Sequence, residues 1–432
     1  MKQIQFSIAL LLLSIACVQN VRAVECAPAD IQLSSQSEVN NFQADHGPDC
    51  DTVTGDLFIG ADDPGEGGTD VRNLDSLTGL WVVHGRLLLQ NNPGLTDISG
   101  LSTLVSVGGD LEVRNNESLS DCEALTLVLD GFHDGGFEPV YPIPDVGGEA
   151  QVSDNAEGCN SVEEVAPPIT KAEAMTGSWY VPSFPGVGLM WHAVNDEIAV
   201  AYYYGFDEAG DRLWLVGLHE GPIEWNKLIN FDVVYVTGGH FQNFQPELIY
   251  ENHWGEIELI LYGCHYASIM TTGTFPGTTS PVSYFRHLER LAPVAGNNCY
   301  RAGSSTEATD GLTGSWFDSS KSGQGFSIHK VDDDTGIVYF YGFDQRGEPL
   351  WLIGVWDVPV RFGEEMTLEM LEVSGGRFFP APWDPVEESE WGVLRIRFDG
   401  CTSGWAELLG ADGYQEFELE LLAGSAGLEC TD

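Results

Sequence analysis

From residue 177 onward, apolar and polar positions alternate in short runs bounded by Gly, Asp, Pro or Ser. That period of two is the mark of half-buried strands. In the first block it predicts eight strands, near 177–181, 187–194, 198–206, 212–220, 228–237, 256–262, 266–271 and 282–291. Helical periodicity is almost absent. Eight short antiparallel strands in about 120 residues fit a closed barrel or a sandwich, two architectures that manage sheet edges. Upstream the pattern changes to Leu-rich triplets separated by Gly and Asn, which predicts strands of a different kind.

Those triplets repeat. Gly85-Arg86-Leu87-Leu88-Leu89-Gln90-Asn91-Asn92 returns 24 residues later as Gly109-Asp110-Leu111-Glu112-Val113-Arg114-Asn115-Asn116, and the trailing Leu95 returns as Leu119. A third copy begins at Gly55-Asp56-Leu57-Phe58-Ile59, set upstream by a Gly/Asp-rich insertion from Ala61 to Gly68. A period in the twenties with L-x-L followed by Asn points to a leucine-rich solenoid. Each copy gives one strand to a parallel sheet and leucines fill the axial core, so stacking is obligatory. Asn91, Asn92, Asn115 and Asn116 are read as bonds to the turning backbone in preference to a ligand-contacting ladder. At these residues the sequence resembles the receptor L-domain family, over residues 24–160. The resemblance implies a right-handed solenoid whose sheet face often serves as a binding surface, and it implies no catalytic residues.

The β region is a duplication. Gly177-Ser178-Trp179 matches Gly314-Ser315-Trp316 at an offset of 137, and the offset holds without a gap to Gly263-Cys264 and Gly400-Cys401. Those 88 positions hold 29 identities, where unrelated segments would give about five, so these are two copies of one domain. Tyr204-Gly205-Phe206-Asp207, Gly210 and Leu213-Trp214-Leu215 recur as Tyr341-Gly342-Phe343-Asp344, Gly347 and Leu350-Trp351-Leu352. Two apolar strands around an Asp-x-x-Gly corner make a hairpin in which Asp bonds the turning backbone and Gly takes positive φ. The opening Gly-x-Trp resembles that of the calycins, which implies a barrel in which a late arginine packs on the Trp. Arg290 fits that role in copy one, and copy two has no equivalent. The duplicated unit is also similar to an uncharacterised repeat of exported proteobacterial proteins, which implies no function. The expected organisation is a signal peptide at 1–23, the solenoid at 24–160, a linker at 161–176, one β domain at 177–299, a linker at 300–313 and the second β domain at 314–430.

Lys2, the apolar run from Phe6 to Ala16 and Val21-Arg22-Ala23 read as a secretory signal peptide. A lipid-anchored Cys17 is the alternative, disfavoured by Ser14 where such a site prefers a large aliphatic residue. No later stretch is long and apolar enough to span a bilayer. Export puts the protein in a secreted or cell-surface setting. Eighteen Lys and Arg stand against 66 Asp and Glu, a net charge of −48, and loss of Lys2 and Arg22 with the signal leaves −50. A field of that sign repels nucleic acid, which needs a basic footprint. Without Cys17, eight cysteines remain, and an even number in an exported chain suggests disulfides. Sequence order offers Cys26 with Cys50, Cys122 with Cys159, Cys264 with Cys299, and Cys401 with Cys430.

His192 and His329 are the histidines that match between copies, each on an expected strand with no shared Ser or Cys nucleophile nearby, so they read as strand histidines bonded locally. Gly186-x-Gly188 and Gly323-x-Gly325 lack the strand-to-helix context of a dinucleotide site and read as strand kinks. Asp332-Asp333-Asp334 and Asn195-Asp196-Glu197 make acidic turns. They leave weak Ca2+ binding as a secondary reading, without the 12-residue loop pattern of a dedicated site. Trp254, Trp391, Phe241 and Phe378 sit beside Gly-rich turns; clustered at a barrel mouth they would stack on sugar rings or peptide aromatics, and otherwise they plug the core. The leading expectation is a non-enzymatic binding or adhesion protein for an extracellular protein or glycan, with no cofactor. The alternatives are a polymer hydrolase using Glu251 and Glu388, for which two carboxylates must lie about 5–10 Å apart, and a carrier of small apolar ligands inside the barrels.

Overall fold

A computed structural model describes residues 24–61, 68–129, 145–166, 172–182, 184, 186–224, 227–242, 244–275, 278, 280–297, 308–378 and 386–431. They fall into two compact units, one gathering described residues up to 166 together with 262–265, the other gathering 172–261 and 266–431. The signal-peptide reading, Cys17 and Cys299 lie outside the described residues.

The N-terminal unit is a parallel β-solenoid with two five-stranded sheets. One holds β1 (Glu25–Cys26), β3 (Thr52–Val53), β5 (Val82–Val83), β7 (Ser106–Val107) and β9 (Asp145–Val146). The other holds β2 (Ile31–Leu33), β4 (Leu57–Gly60), β6 (Leu87–Gln90), β8 (Leu111–Arg114) and β10 (Ala150–Ser153). The register places Leu57 beside Leu87 and Leu87 beside Leu111, and Ile59 beside Leu89 and Leu89 beside Val113. Both rows point inward and are fully buried. Each such side chain contributes roughly 1.5–3 kcal/mol by leaving water. Two disulfides flank the stack, Cys26–Cys50 and Cys122–Cys159, with Cα separations of 5.1 and 5.5 Å.

The second unit holds two closed antiparallel barrels, eight strands each in sequential order. The first runs β11 (Gly177–Tyr180), β12 (Gly188–Ala193), β13 (Ile198–Phe206), β14 (Arg212–Glu220), β15 (Leu228–Thr237), β16 (Tyr250–Leu261), β17 (Tyr266–Gly273) and β18 (Val282–Ala292). The second runs β19 (Gly314–Phe317), β20 (Gly325–Lys330), β21 (Thr335–Phe343), β22 (Pro349–Asp357), β23 (Met366–Ser374), β24 (Glu387–Gly400), β25 (Ser403–Gly410) and β26 (Gly413–Gly424). Closure by β11–β18 and β19–β26 decides the barrel over the sandwich. The largest strand error is at β16, which begins at Tyr250 and not near 256. A bulge opposite Val233/Val234 lets the strand pass through Trp254 and Gly255, a break in alternation that reads as a strand end.

A short 3-10 turn precedes each barrel, Ala172–Met175 and Asp310–Leu312, within segments expected to be linkers. Trp179 Nε1 donates to the Met175 carbonyl and Trp316 Nε1 to that of Leu312. In barrel one Arg290 lies over the Trp179 ring, its guanidinium carbon 5.9 Å from the centroid, and donates to the carbonyls of Ala174 and Thr176. In barrel two Leu421 takes the Arg290 position and Phe398 packs edge-on to Trp316 at 5.1 Å. Cys401–Cys430 ties barrel two, with its Cα atoms 5.7 Å apart. Cys264 is also disulfide-bonded.

Candidate functional site

In the solenoid, the asparagines divide into two roles. Asn91 and Asn115 take positive φ of 60° and 55°, and Asp154 does the same at 56°. A short side chain that can bond locally tolerates that left-handed conformation. The next residue in each turn builds a ladder, with Asn92 and Asn116 buried and Asn155 half-buried. Asn92 Nδ2 donates to the carbonyls of Ile59 and Gln90 and to Asn116 Oδ1. Asn116 repeats this toward Leu89, Arg114 and Asn155 Oδ1, and Asn155 toward Val113 and Cys159. The ladder is structural, as expected. Asn155 escaped the sequence reading because 39 residues separate it from Asn116 where 24 separate Asn116 from Asn92. The outward row of the larger sheet runs Gln32, Phe58, Leu88, Glu112 and Gln151 across the five strands. Gln32 and Gln151 are exposed, Leu88 and Glu112 half-buried and Phe58 buried.

The six residues singled out in the β domains are all buried: Trp254, Trp391, Phe241, Phe378, His192 and His329 are at most 2% exposed. No sugar or peptide ring reaches a side chain so enclosed. Their positions explain the burial. Each Phe leaves its own barrel and packs on the Trp of the other: Phe241 lies 5.3 Å from Trp391, and Phe378 lies 6.3 Å from Trp254, with nearly equal ring tilts of 63° and 62°. Phe241 N–H donates to the Asp344 carbonyl at 3.1 Å, and Phe378 N–H to the Asp207 carbonyl at 3.0 Å. Trp214 Nε1 donates to Gly342 O, and Trp351 Nε1 to Gly205 O. The glycines of each Gly-Gly-x-Phe loop exist for this approach, since a Cβ at Gly239 would strike the Phe343 ring and one at Gly376 the Phe206 ring. Reciprocity of this kind is what a two-fold, isologous joint produces.

A stack of tyrosines lies within the joint. Tyr202 stacks on Tyr341 at 5.0 Å and Tyr204 on Tyr339 at 5.2 Å. Tyr202 Oη donates to Ser315 Oγ at 2.8 Å. The expectation that no shared Ser lies near the histidines is corrected at Ser178, which matches Ser315 in the other copy. Ser178 Oγ lies 2.7 Å from His329 Nδ1, although 151 residues separate them. His329 Nε2 lies 3.0 Å from the Pro293 carbonyl, which can only accept, so Nε2 carries the proton and the Ser178 hydroxyl donates to Nδ1. Burial pushes His329 down to about 3 and His192 down to about 4. Both rings are neutral at pH 7. The expectation of a purely local histidine bond is corrected for His329: its hydroxyl partner comes from the other barrel. Ser and His within hydrogen-bond reach have the spacing of a nucleophile and its base. Here both are fully buried, which closes the pair to substrate.

The remaining candidates have other roles. Asp207 Oδ1 accepts from the N–H groups of Ala209 and Asp211, and Asp344 Oδ1 from those of Arg346 and Glu348, the corner bonds expected of Asp-x-x-Gly. Asp332 Oδ1 accepts from Asp334 and Thr335 N–H in its own turn. Among the described residues no group of three His, Cys, Asp or Glu is placed to hold a metal ion. A cavity of about 490 Å³ is lined by Ala295, Gly296, Asp310 and Val331 to Thr335, and by none of the six. The lining residue Asp310 forms a buried ion pair of 2.7 Å with Lys330. Glu251 pairs with Val236 and Glu388 with Val373, each near the start of its strand. Barrel two is filled by Phe326, Phe340, Leu352, Leu394 and others, with Phe241 of barrel one joining the same cluster, which opposes the apolar-carrier reading.

No family model matches the chain, and no curated protein does. Among solved structures, one described as "Ca2+-stabilized adhesin helps an Antarctic bacterium reach out and bind ice" aligns over 52% of this chain and 81% of its own, with 10% identity and a TM-score of 0.07. A score that low carries no argument about fold or function. The architecture itself defines the class: a mainly β protein with a parallel solenoid followed by two closed barrels joined through a two-fold aromatic contact. The three disulfides between described residues point to an oxidising setting. Among the described residues no helix is long and apolar enough to cross a membrane.

Proposed function

We propose that the protein is an exported, non-catalytic binding protein in which the solenoid recognises an extracellular protein or glycan and the barrel pair serves as a rigid spacer. The observation that carries this reading is the burial of all six shared aromatic and histidine side chains between the barrels. Residues that would have been the chemistry of the β domains hold the domains together instead. The receptor L-domain resemblance of residues 24–160 and the displayed row Gln32, Glu112 and Gln151 favour the solenoid as the recognition element. Arg290 over Trp179 favours the calycin resemblance of barrel one, again as scaffold.

The test is binding of the full chain to an array of extracellular proteins and glycans. Gln32→Arg, Glu112→Arg and Gln151→Arg together are expected to lower binding at least tenfold while leaving the thermal unfolding of the barrels unchanged. Binding that survives these changes, or hydrolysis of an arrayed polymer that disappears in Glu251→Gln or Glu388→Gln, overturns the proposal.

A further inference from the structure

The joint between the barrels has a property that neither barrel shows alone: its main aromatic contacts occur twice, with the copies exchanged. Phe241 on Trp391 answers Phe378 on Trp254. Trp214 to Gly342 answers Trp351 to Gly205. Phe206 lies 6.2 Å from Trp351 at 65°, and Phe343 lies 6.2 Å from Trp214 at 64°. A surface on which residue i meets j while j meets i is self-complementary, and an identical domain can fill it. A barrel deprived of this partner exposes Trp, Tyr and Phe side chains that are now fully buried, an apolar patch of the sort that drives association.

Against this symmetry stand three contacts of charged side chains that have no exchanged counterpart. Arg212 Nη1 donates to Glu372 Oε2 at 2.6 Å, with side chains only 17% and 29% exposed. Arg212 also lies 3.7 Å from the buried Asp344 carboxylate. Arg286 Nη2 donates to the Phe378 carbonyl at 2.6 Å, and its guanidinium carbon sits 4.6 Å from the centre of that ring. The offset of 137 sets Pro349 at the Arg212 position and Tyr235 at the Glu372 position. Strand register sets Phe417 at the Arg286 position. Two first copies would set Arg212 against Tyr235, and two second copies would set Glu372 against Pro349. Both like pairings lose the ion pair.

We infer that the barrel is a self-pairing module whose partner is a second copy of itself, and that Arg212 and Glu372 select the mixed pair within this chain over like pairs between chains. Shared aromatics supply the attraction and the copy-specific ions supply the choice, the division of labour seen where charge sets pairing on an apolar seam. This inference does not depend on what the solenoid binds.

The experiment uses the folded full chain with a protease site placed within residues 301–306. Native mass spectrometry follows the cut protein after partner exchange in mild urea. The two halves are expected to stay together as a 1:1 particle, with like pairs of either half at about a tenth of its level or less. In the Arg212→Ala/Glu372→Ala variant like pairs are expected to rise about tenfold, with circular dichroism verifying that the strands remain. Halves that part as stable monomers would overturn the self-pairing module. Mixed particles alone in both proteins, with no like pair at any concentration, would overturn it equally.

Discussion

The solenoid and the barrel pair are both built from repeats, and they use repetition in opposite ways. In the solenoid, a residue meets its own counterpart in the next turn: Asn92 bonds Asn116, and Asn116 bonds Asn155. The repeat relation is a translation, so the series could continue. In the barrel pair a residue meets a different residue of its counterpart, Phe241 with Trp391 and Phe378 with Trp254. That relation is a rotation by half a turn, and it closes after two copies. Shared residues therefore carry different messages in the two regions. Shared asparagines mark a spine within one fold, whereas shared aromatics and histidines mark a joint between two.

The comparison can be broken most severely at the joint. Phe378→Ala empties a site among Trp254, Phe275 and Tyr284 and is expected to destabilise the barrel pair by about 3–5 kcal/mol, measured by urea unfolding followed through tryptophan fluorescence. The solenoid transition should not move. Asn116→Ala should do the reverse: it strands the buried carbonyl of Leu89 and the part-buried carbonyl of Arg114 and is expected to cost the solenoid about 2–3 kcal/mol, with the barrel transition unchanged. An equal shift of both transitions by either variant would contradict the separation of roles.

Acid sharpens the comparison, because the joint holds two buried histidines. Their folded values, about 4 for His192 and about 3 for His329, lie below the unfolded value of 6.5. The unfolded chain thus binds more protons below pH 6.5, and the stability these rings contribute at pH 7 is lost as pH falls toward 4 and then 3. Between pH 7 and 5, above the range of most carboxylates, the barrel transition of wild type is expected to fall more steeply than that of His329→Gln. Parallel slopes would place the titration elsewhere. The smallest effect belongs to Arg212→Ala, which removes the ion pair to Glu372 and the longer contact to Asp344 and is expected to cost about 1 kcal/mol within the intact chain, read from the same unfolding curves.

Much of this fold was legible in the chain. Period-two alternation and turn residues placed eight strands per copy, and seven of the eight in barrel one start within one residue of expectation. The error at β16 came from a bulge, which breaks alternation without ending a strand. The Cys26, Cys122 and Cys401 pairings followed from order along the chain. The site was less legible, for a physical reason. Identity between copies reveals that Trp254, Phe241, His192 and their partners share a constraint, but a two-fold joint pairs positions far apart along the chain, and no local spacing announces it. Ser178 and His329 illustrate this: each lies in a strand with unremarkable neighbours, and only closure of both barrels and their mutual rotation brings Oγ to Nδ1.

The exchange of phenylalanines is the centre of the account, and a double-mutant cycle addresses it directly. Phe241→Leu is combined with Trp391→Phe and, separately, with Trp254→Phe, and barrel stability is measured for all single and double variants. Phe241 is expected to couple to Trp391, in the other barrel, by about 0.5–1.5 kcal/mol, and to be additive with Trp254, in its own barrel, within about 0.3–0.5 kcal/mol. Coupling of Phe241 to Trp254 with additivity toward Trp391 would show that each loop plugs its own barrel, and the reciprocal joint would be wrong.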